Sequence, residues 1–206
     1  LKKKRISKSP EKRRAEILTA ARELLDLHGI DNTRVSDIVN KVGVAQGVFY
    51  YYFRSKDEMI DAILKEVEEE TAQEIRRIRS EATPLLKKLS DVLLLYLDFI
   101  DQFTSDDKRL IPNYHKLLED GISFQKIRRI LITAFEDLVK EGTNTGQLLT
   151  KYPVLTVHVL EYGLTSAASK KRISGLEIYT IVEQALGITT GELSNYYQLQ
   201  KGGIVS

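Results

Sequence analysis

Thr33-Arg34-Val35-Ser36-Asp37-Ile38-Val39-Asn40-Lys41-Val42-Gly43-Val44-Ala45-Gln46-Gly47-Val48-Phe49-Tyr50-Tyr51-Tyr52-Phe53-Arg54-Ser55-Lys56 reads as two short helices and the start of a third. Val35, Ile38, Val39 and Val42 recur at i, i+3, i+4 and i+7, which is one face of a helix, with Thr33 near its start. Gly43 stops that helix after about two turns. Val44 and Ala45 leave room only for a tight connection, because Gln46 to Phe53 is helical again. Two short helices separated by three residues and a glycine must cross steeply, which is the geometry of a helix-turn-helix. Ser55 is the expected N-cap of the next helix, with Asp57 and Glu58 in its first turn.

The aromatic residues are concentrated here. Phe49 to Phe53 holds five of the Phe and Tyr residues of a chain that has 6 Phe and 10 Tyr in all. Phe49 and Phe53 are one turn apart and share a face, with Tyr52 beside them. Gln46, Gly47, Tyr50 and Tyr51 fall on the other side. The Phe face is expected to pack on the preceding helix, leaving amide and phenol groups outward and no charge among them. A solvated face ordinarily carries Glu and Lys. An uncharged one suits a DNA groove: Tyr hydroxyls donate to phosphate oxygens, Gln bonds adenine bidentately, and glycine lets backbone approach backbone. Lys56 adds a cation beside the free N–H groups of a helix start, together an anion site.

Upstream, Ser9-Pro10-Glu11 is a helix start, with an N-cap, a proline at the first position and an acid in the first turn. Ile17, Leu18, Ala21, Leu24, Leu25 and His28 form a helical stripe, and Gly29 is placed for a left-handed C-terminal cap. Before this helix come Lys2, Lys3, Lys4, Arg5 and Lys8. The 206 residues carry a net charge of +2, but Leu1 to Lys56 carries +7 and the remainder −5. A basic arm ahead of a helix-turn-helix suits a polyanion. The first residue is Leu1 rather than Met, so a few native residues are expected to precede it.

Downstream the pattern stays helical: Lys56 to about Ala82, Pro84 to Thr104, 108–118, Ser123 to about Glu141, Pro153 to Ser169 and Gly175 to Leu186. Gly142 to Gly146 reads as a turn-rich break, and Glu192 to Gln200 as a weak helix. The absence of cysteine excludes disulfides, thiolate metal sites and cysteine nucleophiles. The longest apolar run, Val92 to Leu97, is far short of the roughly 20 residues of a spanning helix. A cytoplasmic location is expected.

The segment from Thr33 to Glu58 resembles the TetR family of bacterial transcriptional repressors, in its Thr33, its Gly43-Val44 turn, its Gly47, and the Tyr50-x-x-Phe53-x-x-Lys56 spacing. The resemblance covers about Ile17 to Leu64. It implies an all-α fold, with an N-terminal three-helix helix-turn-helix DNA-binding domain (residues 1–55) joined to a C-terminal helical ligand-binding and dimerisation domain (residues 56–206). It implies that Thr33, Ser36, Gln46, Gly47, Val48, Tyr50, Tyr51, Tyr52 and Lys56 meet double-stranded DNA, Tyr50 and Lys56 on phosphates and Gln46 on bases. Two departures stand out. Ala45 replaces a small hydroxyl residue at an N-cap, a loss of about 1 kcal/mol, and Tyr51 and Tyr52 occupy positions where His is common.

The same resemblance implies a homodimer on an inverted-repeat operator, released by a small-molecule effector, with no cofactor. Leu155, Val159, Tyr162 and Leu164, with Ile178, Ile181, Val182 and Leu186, are candidates for a four-helix dimer bundle. The small residues Thr165 to Ser169 would allow close approach. Tyr96, Phe99, Phe103, Tyr114, Phe124, His158 and Tyr162 are candidates for an effector pocket. No enzyme motif stands against this: there is no Gly-rich phosphate loop, HExxH or GxSxG. His115 with Glu119 and His158 with Glu161 share helical faces, yet neither is the Glu-x-x-His order of a di-iron bundle. The alternative is a helical interaction module or ligand-binding protein that recognises no operator.

Overall fold

The computed structural model describes residues 9–104, 122–168 and 173–201, and within them all regular structure is helical. The basic arm (Lys2, Lys3, Lys4, Arg5 and Lys8), the expected helix at 108–118 with Tyr114, His115 and Glu119, and Ser169 lie outside the described residues. The chain divides into two units: residues up to Val67 belong to the first, Glu68–Thr104 and Phe124 onward to the second. Among the described residues no helix is long and apolar enough to cross a membrane.

In the first unit, α1 (Pro10–Asn32) starts as its sequence dictates, with the Ser9 hydroxyl accepting the Lys12 N–H at 3.3 Å and Pro10 in the first turn. Ile17, Leu18, Ala21 and Leu25 are buried. The end differs from expectation. Gly29 has positive φ (75°) but an extended ψ (170°), so the helix kinks there and resumes to Asn32 instead of closing in a left-handed cap. His28, on the expected stripe, is exposed, and its carbonyl accepts the Asn32 amide.

Helix α2 (Val35–Val42) ends at Gly43 in the left-handed conformation, φ 74° and ψ 41°. There the N–H of Val44 donates to Val39 O at 3.0 Å and that of Gly43 to Asn40 O at 3.1 Å, which satisfies carbonyls the helix would otherwise strand. Helix α3 (Gln46–Tyr52) follows from an extended Ala45 that provides no side-chain cap. Phe49 and Phe53 are buried with Ile17, Leu18, Ala21 and Leu25 of α1 and Ile38 and Val39 of α2. Their rings are 5.6 Å apart, and the Arg14 guanidinium lies over the Phe53 ring. Met59 and Ile63, from α4 (Lys56–Ser80), complete this core.

The second unit contains the rest of α4, then α5 (Leu85–Thr104), α6 (Ile122–Asn144), α7 (Pro153–Ala168), α8 (Gly175–Leu186) and α9 (Ser194–Lys201). Leu89, Val92 and Leu93 of α5, Ile127, Leu131 and Leu138 of α6, Val157 of α7 and Tyr179, Val182 and Leu186 of α8 are buried. Helix α8 has a capping box between Ser174 and Glu177 and a left-handed Gly187 at its end. The expected break over Gly142 to Gly146 falls at its far end: α6 runs through Gly142 to Asn144, and the chain turns at Thr145 and Gly146, the latter left-handed at φ 73°. Gly142 serves packing instead, since a Cβ there would lie 2.6 Å from the Leu148 side chain and 2.7 Å from Leu85.

One buried carboxylate organises the C-terminal turn. Glu183 of α8 is fully buried, and its two oxygens accept the backbone N–H groups of Gly191 (3.1 Å), Leu193 (2.9 Å) and Ser194 (2.7 Å). It thus holds the start of α9, whose Tyr197 ring packs 4.7 Å from that of Tyr179.

Candidate nucleic-acid interface and ligand pocket

The core of the first unit sorts α3 into two sides. With Phe49 and Phe53 inward, Gln46, Gly47, Tyr50 and Tyr51 are exposed, Tyr51 at 78%. Gln46 and Tyr50, and likewise Gly47 and Tyr51, are one helical turn apart, so the four make a continuous uncharged surface. Ser36 of α2 is also exposed, its hydroxyl 3.3 Å from Asp37 Oδ1. Val48 and Tyr52 are half-buried against the core, with the Tyr52 ring edge-on to Tyr51 at 4.9 Å.

Gly47 is informative because nothing among the described residues asks for it. A Cβ there would meet no atom within 4 Å, and its φ is not among the positive ones. Glycine inside a helix costs roughly 0.5–1 kcal/mol relative to alanine.

Two candidates sit differently from the motif reading. Thr33 is buried, with its hydroxyl 2.8 Å from Gly29 O and 3.1 Å from Leu24 O, so the side chain closes the α1 kink and does not reach the surface. Lys56 is half-buried. Its ammonium donates to the carbonyls of Ile30 and Thr33 (the latter at 3.2 Å), tying the start of α4 to the α1–α2 turn. Two exposed cations were missed by sequence reasoning: Arg34, which precedes α2, and Arg54, which follows α3. Their place at the two ends of the helix-turn-helix was the available signal.

Ala45 leaves the orphan N–H groups of α3 without a side-chain acceptor. Ala45→Ser is therefore expected to stabilise the protein by about 1 kcal/mol, read as a raised urea midpoint at unchanged m.

Residues 17–63 match the family model of bacterial regulatory proteins of the tetR family. The match begins and ends on buried residues of this first core, Ile17 and Ile63. Residues 17–63 thus carry the tetR-family regulatory domain. Over 61 residues the chain is 44% identical to the HTH-type transcriptional regulator YvdT of Bacillus subtilis (strain 168), covering 30% of this chain and 31% of that one. Over 92 residues it is 28% identical to the HTH-type transcriptional repressor KstR2 of Mycolicibacterium smegmatis, covering 45% of each. The chain thus spans between about a third and a half of the length of these curated relatives. A crystal structure of a regulator from Mesorhizobium loti MAFF303099 ascribed to the TetR family superposes with a TM-score of 0.61 at 18% identity, over 88% of this chain and 96% of that one. At that identity the likeness is one of fold.

The second unit holds an apolar pocket of about 30 Å³ between α5, α6, α7 and α8. Its walls include Val92, Tyr96, Leu131, Phe135, Val157 and Val182. Glu161 also lines it, and is only 6% exposed. Glu161 Oε1 accepts from Arg128 Nε at 2.8 Å and from the Tyr96 hydroxyl at 3.2 Å, and Arg128 Nη2 is 2.6 Å away. With the Tyr96 proton so placed, the Thr165 hydroxyl, 3.1 Å away, donates to the Tyr96 oxygen. Burial raises the Tyr96 pKa well above its ordinary value, so it remains a donor.

Of the candidate pocket residues, Tyr96 lines this cavity. Phe99 is buried but is not among the lining residues. The side chains of Phe103 and Phe124, like Tyr114, lie outside the described residues. His158 and Tyr162 do not line it: Tyr162 is 77% exposed, and His158 is exposed and pairs with Glu136 at 3.1 Å. Helix α7 is apolar around most of its circumference, so periodicity gave no inward face. Glu161, on its inward side, therefore carries no ligand-binding signal in the sequence.

The candidate dimer residues divide as well. Ile178, Val182 and Leu186 are buried inside the chain's own core, and Leu164 lines the pocket. Leu155, Val159, Tyr162 and Ile181 are exposed. The first three recur at i, i+4 and i+7, an apolar stripe on the outer face of α7. Among the described residues no cluster of three or more His, Asp or Glu is arranged to hold a metal.

Proposed function

We propose that the chain is a sequence-specific DNA-binding transcriptional regulator that acts as a homodimer on an inverted repeat and is released by a small-molecule effector. The observation that carries this is the outer side of α3, where Gln46, Gly47, Tyr50 and Tyr51 make an exposed, uncharged surface with a glycine that the interior does not need. Such a helix enters the major groove, its amide on base edges and its phenols on phosphates. The net charge of +7 up to Lys56 supplies attraction to the duplex. A domain division near residue 55 places α1–α3 on DNA and leaves the helices that follow for dimerisation and ligand.

Two copies are needed because a palindrome presents two half-sites about one helical turn apart. The exposed stripe Leu155, Val159 and Tyr162, with Ile181 of α8, is the surface we assign to the partner copy. The relative named as a repressor supports repression as the direction of control. Release follows if the effector favours a conformation in which the two recognition helices no longer match the half-site spacing.

The roles separate by mutation. Gln46→Ala is expected to relax preference at one position per half-site and leave the salt slope unchanged. Lys56→Met loses two charge-assisted hydrogen bonds to the α1–α2 turn. It should cost about 1–2 kcal/mol of stability, and, if its remaining N–H reaches a phosphate, reduce the salt slope by about 1. Urea melts and DNA affinity measured from 50 to 200 mM salt read both. Affinity for DNA that is independent of salt would sink the proposal.

A further inference from the structure

Helix α3 ends beside two guanidinium groups that pair with no carboxylate among the described residues. The Arg14 guanidinium, from α1, lies 5.1 Å from the centre of the Phe53 ring, and Phe53 is the C-cap of α3. Arg54 is the next residue in the chain. Both arginine side chains are exposed, and among the described residues neither has an acid for a partner. Acids are close at hand in sequence. Glu11 stands one turn before Arg14, and Asp57 and Glu58 open α4 just after Arg54. Glu58 is taken up by the backbone, its Oε2 accepting the Arg54 N–H at 2.6 Å. Other cations of the first unit are already engaged. Arg13 pairs with Glu16 at 2.8 Å and Lys41 with Glu23 at 2.6 Å, while the Lys56 ammonium donates to the carbonyls of Ile30 and Thr33. The lysine that the linear motif offers as an anion ligand is thus turned inward, and Arg14 and Arg54 carry unpaired charge at this end of α3.

We infer that Arg14 and Arg54 bind DNA phosphates bordering the groove that α3 enters, a backbone grip at the C-terminal end of that helix. The inference rests on the DNA-binding reading above and adds two residues to it. An aromatic ring offers a guanidinium no lone pair, so the Phe53 contact fixes where Arg14 stands and leaves its N–H donors to water or to an anion. A side chain held in place beforehand loses less entropy when it binds. The planar fork of donors matches a phosphate bidentately. Such contacts carry no sequence information; they set the register and orientation of the helix on the duplex. Phe53 is 2% exposed and packs with Phe49 in the core of the first unit. The ring that positions Arg14 is therefore also one that seats α3, which couples the backbone grip to the helix it would orient.

The probes are a duplex enriched by selection with the wild-type chain and a scrambled duplex of the same composition. Affinity of the full chain for each is measured from about 50 to 200 mM salt. Arg14→Met and Arg54→Met are each expected to flatten the salt slope by about 1 per subunit. Each should also cost on the order of tenfold in affinity at the lowest salt, to a similar degree on both duplexes. Arg14→Lys keeps the charge and should restore most of the slope. Arg13→Met removes the same charge one residue away, from a group paired with Glu16, and should leave the slope as it is. A smaller folded fraction would lower affinity by the same factor at every salt concentration, and urea melts read it separately. An unchanged slope in either methionine variant, or an equal fall in Arg13→Met, would overturn the inference and leave DNA binding by α3 intact. A loss confined to the selected duplex would mean contact with bases and would overturn it as well. Should the wild-type chain enrich no duplex, or bind without salt dependence, the DNA-binding reading itself falls and the inference with it.

Discussion

Gly47→Ala is expected to make the protein more stable and a poorer DNA binder. The two effects come from one fact, that a Cβ at position 47 meets nothing within 4 Å among the described residues. In the helix the methyl group removes the entropic cost of glycine, a gain of about 0.5–1 kcal/mol, visible as a raised urea midpoint. On the proposed docking of α3 in the groove, the same methyl would stand where backbone and duplex approach each other. Overpacking a close contact typically costs 1–3 kcal/mol, which corresponds to a loss of affinity of roughly fivefold to more than a hundredfold. A larger side chain, as in Gly47→Leu, should abolish specific binding and leave the melt cooperative. Wild-type affinity in Gly47→Ala would show that α3 does not lie close to the duplex.

The largest effect on stability is expected at Glu183. Its carboxylate is fully buried and satisfies three backbone donors, those of Gly191, Leu193 and Ser194. Glu183→Ala strands all three and opens a cavity. Each buried donor left without a partner costs about 1–3 kcal/mol, so a total loss of at least about 3 kcal/mol is expected in urea unfolding. Glu183→Gln keeps an acceptor on one side and should lose about half as much. Because the residue lies in the second unit, away from α1–α3 in the chain, its loss should show as instability before it shows as a change in preferred DNA sequence. A variant that melts like the wild type would mean that the turn at 191–194 finds other acceptors.

What the sequence made legible was what is decided within a few residues. The turn at Gly43 and the inward pair Phe49 and Phe53 follow from glycine's freedom at positive φ and from helical spacing, and both are in the structure as expected. So is the missing cap at Ala45. The features that escaped depend on distant partners. Thr33 and Lys56 look like surface groups in the linear motif, but the kink at Gly29 turns the carbonyls of Leu24, Gly29 and Ile30 toward them. Gly142 reads as a turn residue because glycine usually marks one, whereas here it admits Leu85 and Leu148 against a continuing helix. In α7, residues apolar on nearly every side conceal which face turns inward. Spacing alone therefore does not separate Tyr162 and His158, which are exposed, from Val157 and Glu161, which line the cavity.

The central claim is that α3 reads a sequence, and that two copies read it together. Selection of binding sites by the purified full chain from a random DNA pool, without added ligand, tests this most directly. The account predicts enrichment of an inverted repeat whose half-site centres lie about 10 base pairs apart, or a multiple of that. Loss of one preferred base per half-site is expected when the selection is repeated with Gln46→Ala. A folded protein that enriches no sequence, or enriches single half-sites with no fixed spacing, would contradict it.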